Sequence, residues 1–175
     1  MQKTKRILTM AVLSAALCAA PVPAFGFGWK STKTETTAAA EEVNYSFKTE
    51  KAAISIGAEA APILKALGEP KKTFEQDSCA YQGKDKVYSY EGFDICTWLV
   101  DGKECVNAIY LMDNTVATPE GVKIGSTKQD VINAYGKDYT ESYGVCRYTV
   151  GNTELSFYFT NQAVDSIEYL LVVTK

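Results

Sequence analysis

The sequence predicts an α+β fold. Two tandem repeats each supply one helix and a three- or four-stranded antiparallel meander, with the helices packed on one face of the sheet. Two observations carry that prediction. "ISIGAEAAPILKALG", residues 54–68, and "VKIGSTKQDVINAYG", residues 122–136, share one start, helix and stop pattern, and in each the second glycine lies eleven positions after the first. Apolar segments of period two then follow each helix in the same order. Tyr90 and Tyr148, Val106 and Val164, and Ile109 and Ile167 are each 58 apart, whereas the helices are 68 apart, which places a ten-residue insertion around "SCAYQGKDK" in the first copy.

From the N-terminus, residues 1–24 read as a secretory signal peptide: Lys3, Lys5 and Arg6 precede the short apolar run Ile7–Ala20 and the small-residue cleavage site Val22-Pro23-Ala24. Leu17 stands before Cys18, where a lipidated cysteine follows a small residue, which argues against a lipid anchor. Residues 25–43, with the stretch "KSTKTETTAAAEE", lack the large apolar groups that would offset ordering entropy and read as a flexible linker. Residues 44–175 then form a single domain of two repeats, about 44–113 and 120–175. The expected location is secreted or at the cell surface.

In the first repeat, "NYSFKT" alternates with Tyr45 and Phe47 on one side, and "AAISIG" is its return partner. A helix is expected from about Ala58 to Leu67. Pro62 is tolerated in its opening turn, Ile63, Leu64 and Leu67 form its apolar stripe, and Gly68 stops it. The strands "KVYSYEG", "FDICTWLV" and "ECVNAIYLMD" follow, with Asp101-Gly102 as a hairpin turn. Thr118-Pro119-Glu120-Gly121 reads as the turn that joins the copies. The second helix is expected to start at Ser126 as N-cap, with Gln129 completing a capping box, to carry Val131, Ile132 and Tyr135 as its apolar stripe, and to end at Gly136. Its strands are "VCRYTVG", "ELSFYF" and "AVDSIEYLLVV", turning at Gly151-Asn152 and Asn161-Gln162.

Strand alternation assigns Leu155, Phe157 and Phe159 to the core row, with Phe93, Ile95 and Leu99 in the first copy. The outer row holds Glu154, Ser156 and Tyr158, with Asp94, Cys96, Trp98 and Val100 in the first copy. A helix covers only one side of such a sheet. Trp98 and Tyr158 on the other side are therefore the leading candidates for binding, with Tyr90 and Tyr148 beside them, because aromatic side chains concentrate binding energy at interfaces.

Composition narrows the chemistry. Lys3, Lys5 and Arg6 are the only charges of the first 24 residues, so 18 bases become 15 against 21 acids once they are removed, a net of −6. That balance disfavours nucleic acid as a partner. The chain has no histidine, which removes Ser-His-Asp and Cys-His mechanisms and the usual zinc ligand sets. No phosphate-binding or dinucleotide-binding glycine motif occurs, so no cofactor is expected, and no metal: Asp113-Asn114 with Glu120 lacks the spacing of a calcium loop. Cys79, Cys96, Cys105 and Cys146, an even number in an exported chain, predict disulfides. Cys96 and Cys105 flank one hairpin, but Cys79 or Cys146 could partner either. A non-enzymatic binding or structural module follows, its partner a protein or a cell-wall component. The alternative is a secreted hydrolase with paired carboxylates, for which Glu154, Asp94 and Glu91 are the candidates.

The signature "IGSTKQDVINAYG…YTVGNTELSFYF…VDSIEY" resembles the helix-then-meander repeat of β-lactamase inhibitory protein and of the small outer-membrane assembly lipoproteins that share its fold. The run "SCAYQGKDKVYSYEGFDICT" followed by "ATPEGVKIG" resembles secreted Firmicutes proteins of unknown function. The resemblance spans residues 44–173 and implies a concave, aromatic-lined sheet face presented to a protein, with Trp98 and Tyr158 at the matching positions by face.

Overall fold

Phe47 and Ile54 face each other across a short antiparallel pair, β1 (Ser46–Lys48) and β2 (Ala53–Ser55), which forms a two-stranded sheet of its own. The structure is a computed structural model and describes residues 44–78 and 83–172. The expected signal peptide and linker, and with them Cys18 as well as Cys79, lie outside the described residues. α1 (Ala60–Leu67) is followed by β3 (Lys72–Asp77), β4 (Lys84–Ser89), β5 (Phe93–Val100) and β6 (Lys103–Leu111). α2 (Lys128–Tyr135) is followed by β7 (Thr140–Ser142), β8 (Val145–Val150), β9 (Thr153–Thr160) and β10 (Ala163–Leu171). These eight strands form one antiparallel sheet in the order β3-β4-β5-β6-β10-β9-β8-β7. At its centre β6 meets β10, with Leu111 opposite Ile167 and Ala108 opposite Leu170. The fold is α+β and rich in sheet.

Ile63 and Leu67 of α1 and Val131 of α2 are buried in one cluster with Phe93, Ile95, Ile109, Leu155 and Phe157. Removing such a side chain from water contributes roughly 1.5–3 kcal/mol. Phe47 packs edge-on against Phe93, with ring centroids 5.0 Å apart, and so ties the small sheet to the large one.

Both helices begin later than the sequence suggests, for the same reason. The Gly57 amide donates to the Val106 carbonyl at 2.7 Å and the Val106 amide to the Ala58 carbonyl at 2.9 Å, so the chain is still bonded to β6 where a helix from Ala58 would start. Likewise the Gly125 amide donates to the Val164 carbonyl and the Val164 amide to the Ser126 carbonyl, each at 2.8 Å. Ser126 is therefore held by β10, and the N-cap passes to Thr127. Its hydroxyl accepts the Asp130 amide at 3.2 Å, while Asp130 accepts the Thr127 amide at 2.8 Å. Gly68 and Gly136 end the helices with φ of 85° in each, a conformation that favours glycine. The Gly121 amide donates to the Thr118 carbonyl at 2.8 Å, closing the expected turn between the helix-and-strand segments.

Among the described residues the expected disulfides are not formed: Cys96, Cys105 and Cys146 are free thiols. Register explains it. Cys96 lies opposite Ala108 and Cys105 opposite Trp98, with an irregularity between them at Asn107. Cys146 lies opposite Phe157 and is buried in the core, on the other side of the sheet.

Candidate functional site

Alternation splits the large sheet into two faces. On one, Ile95, Ile109, Tyr169 and Leu155 pair in sequence across β5, β6, β10 and β9 and belong to the core cluster. On the other, the row one step along the strands holds Asp94, Tyr110, Glu168, Ser156 and Arg147, which follow one another from β5 to β8. None of these five is in the core cluster. The neighbouring row on this outer face is apolar for five strands: Phe74, Val87, Cys96, Ala108 and Leu170.

Tyr110, on β6, is the centre of this face, and the alternation rule alone points it the wrong way. Val106 is buried, and simple alternation from it would carry Ala108 and Tyr110 inward. Asn107 is an extra residue in β6, since Cys96 pairs with Ala108 and Thr97 with Val106. This bulge shifts the phase by one, turning Ile109 and Leu111 to the core and Tyr110 outward.

Several polar side chains on this face bond to one another. The Tyr158 hydroxyl donates to Glu168 Oε2 at 2.9 Å, and the Ser156 hydroxyl to Glu154 Oε1 at 2.8 Å. Arg147 Nε lies 3.4 Å from Glu154 Oε1. Burial, with Cys96, Glu168 and Tyr158 nearby, raises the pKa of Tyr110. Burial, with Asp94 and Asp85 adding to it, pushes the Cys96 thiol up to about 11. Both groups therefore stay protonated at neutral pH. Cys96 offers no thiolate nucleophile, and Tyr110 presents a phenol that can donate a hydrogen bond beside the acceptor Glu168.

Of the four aromatic candidates, Trp98 and Tyr158 lie on this face, near its two ends. Trp98 is opposite Cys105, and Tyr158 is opposite Ser166 and Val145. Tyr90 and Tyr148 lie on the core side. Tyr148 is buried, and its hydroxyl donates to the Gly136 carbonyl at 2.9 Å. The Tyr90 hydroxyl donates to the Gly68 carbonyl at 3.2 Å. Each is spent on the carbonyl that ends a helix, so the four do not form one surface. Tyr90 also lines a cleft of about 520 Å³ with Phe47, Lys51, Glu91, Phe93 and Val116.

The three candidate acids do not converge. Glu91 lines that cleft and pairs with Lys71. Asp94 is on β5 and Glu154 on β9, with β6 and β10 between them. Three strand spacings set them roughly 14 Å apart, wider than the carboxylate pairs of glycosidases. Asp113 and Glu120 do not share a ligand site either. Asp113 Oδ1 accepts the Thr115 amide at 2.8 Å, and Glu120 accepts the Tyr135 hydroxyl. Among the described residues no group of three or more acidic or thiol side chains could hold a metal ion, and no helix is long and apolar enough to cross a membrane.

Comparison with known families, characterised proteins and solved structures finds no match to this chain.

Proposed function

We propose that this chain is an exported, non-enzymatic binding module that recognises an extracellular or cell-wall protein through the outer sheet face. The observation that carries the reading is the Asp94–Tyr110–Glu168 row with Tyr158 bonded to Glu168. It places protonated phenols among paired polar groups beside an apolar row, the composition of a protein interface with aromatic anchors and a polar rim.

The reading includes two tandem repeats whose helices lie on the opposite side. Two matched sets of bonds support it. Gly57 and Val106 make the same bond as Gly125 and Val164, and Tyr90 reaches Gly68 as Tyr148 reaches Gly136. The pairs are offset by 68 for the glycines and 58 for the strand residues, the two spacings at which the sequence repeats.

The test is capture from the extracellular and wall fractions of the producing organism, by wild type and by the Tyr110→Ala/Tyr158→Ala double variant. One partner held by wild type at moderate salt, and lost by a variant that melts as wild type does, is the expected result. Equal capture by both proteins would remove this face from the proposal.

A further inference from the structure

β3 ends the large sheet. Its six residues are all exposed, and among the described residues no strand pairs with its outer edge. The direction of its backbone groups follows from one bond. The Ser78 amide donates to the Gly83 carbonyl at 2.9 Å, continuing the register in which Asp77 faces Lys84 and Phe74 faces Val87. Inward bonding alternates along an antiparallel pair. Gln76 and Phe74 therefore also bond to β4, and Thr73, Glu75 and Asp77 turn their N–H and C=O groups outward. An edge of this kind is a template for another strand.

We propose that the occupant is a second copy of this chain, adding its own β3 antiparallel with Phe74 on the two-fold axis. Symmetry leaves few registers, because directly opposed residues must share a face. An axis through Glu75 sets that carboxylate against itself, and an axis through Gln76 sets Glu75 against Asp77; like charges directly opposed destabilise a sheet. An axis through Phe74 avoids both. Thr73 and Glu75 of the second copy then exchange both backbone bonds, as their outward groups require. Lys72 meets Gln76 of the second copy, and the ladder ends there, because the Lys71 amide donates to the Ser89 carbonyl at 2.8 Å and its ammonium pairs with Glu91. Phe74 meets its own counterpart in the closely spaced, non-bonded position, where an aromatic pair packs best.

The side chains agree with that register. Phe74 is 51% exposed and is the last member of the apolar row that crosses the outer face through Val87, Cys96, Ala108 and Leu170. Pairing would continue that row into the second copy and cover Phe74. The opposite edge, β7, has three residues and offers half the length.

Sedimentation velocity on protein expressed from the full-length sequence, over a concentration series, tests the proposal. A concentration-dependent dimer is expected. Phe74→Lys, which opposes two cations on the axis, and Thr73→Pro, which deletes an outward donor at an edge that tolerates proline, should each weaken it about tenfold or more, or 1.4 kcal/mol. Both should leave the melting temperature close to wild type. A monomer up to about 1 mM, the weak end of specific association, would overturn the proposal. So would a dimer indifferent to Phe74→Lys and Thr73→Pro.

Discussion

The two central hairpins start from matching anchors and end differently. In β5–β6 the anchor is Val106, bonded to the chain ahead of α1 and fourth in its strand; in β9–β10 it is Val164, bonded ahead of α2 and second in its strand. The first hairpin therefore projects two residues further. The projection carries Trp98 and Cys105 on the outer face and Leu99 and Glu104 on the inner, and none of these four belongs to the core cluster. Alternation assigns an inward face to both Leu99 and Phe157. Only Phe157 is fully buried, while Leu99 is 39% exposed. A strand's inner face becomes core only as far as something covers it.

The sharpest way to break this comparison is to truncate both residues. Phe157 lies against Tyr135 and Tyr148 with ring centroids 5.2 and 6.0 Å away. Phe157→Ala should cost about 3–5 kcal/mol in urea unfolding. Leu99→Ala should cost less than about 1 kcal/mol, the range of partly exposed substitutions. Similar losses at the two sites would mean that the projecting hairpin is covered after all.

Where cover ends, charge takes over. Glu104 Oε1 accepts the hydroxyls of Tyr88 and Thr97, each at 2.7 Å, and Oε2 accepts Lys86 Nζ at 3.0 Å. Burial works against ionisation here, but the bonds from Thr97, Tyr88 and Lys86 outweigh it and hold the Glu104 pKa below its ordinary 4.5. Glu104→Ala leaves three donors without their acceptor and should cost about 1–3 kcal/mol. Glu104→Gln, which keeps an acceptor, should cost less. The sign with pH follows from linkage: a depressed folded pKa gives stability that is complete above 4.5 and is lost as pH falls through the folded value. Wild type should therefore lose its advantage over Glu104→Gln only in acid below that value. An advantage that persists undiminished into strong acid would sink this assignment.

The elements that sequence reading found are those with apolar alternation and glycine punctuation: both helices, β1 and β2, β4 to β6 and β8 to β10. β3 and β7 were missed because "KTFEQD" and "TES" are exposed on every residue, so neither face leaves a periodic trace. The site was legible in half. Trp98 and Tyr158 follow from parity, but Tyr110 depends on the bulge at Asn107, a register event that shows only when both strands are aligned. Ser126 and Thr127 are adjacent hydroxyls, and only the Val164 bond decides which one caps α2. The cysteine count suggested bridges because parity of number says nothing of register, which here sets Cys146 on the opposite face from the other two described thiols.

The smallest difference between the hairpins lies in their turns. Asp101 and Gly102 take φ of 50° and 77°; Asn161 and Gln162 take 51° and 67°. Both are two-residue turns with two left-handed positions, a geometry that asks for glycine second. The first hairpin has it, and no atom beyond the adjacent residues lies within 4 Å of where a Gly102 side chain would begin, so backbone conformation alone sets the preference there. In the second hairpin Gln162 carries a side chain in the left-handed region, at about 1–2 kcal/mol, while glycine in its place gives back roughly 0.5–1 kcal/mol in chain entropy. Gln162→Gly should therefore stabilise by about 0.5–1 kcal/mol, and Gly102→Gln should destabilise by a similar amount. Paired thermal melts of the two variants read this directly. Opposite shifts of comparable size would show that the two turns obey one rule, and a loss of stability in Gln162→Gly would show that the glutamine side chain is held by contacts that the turn geometry does not reveal.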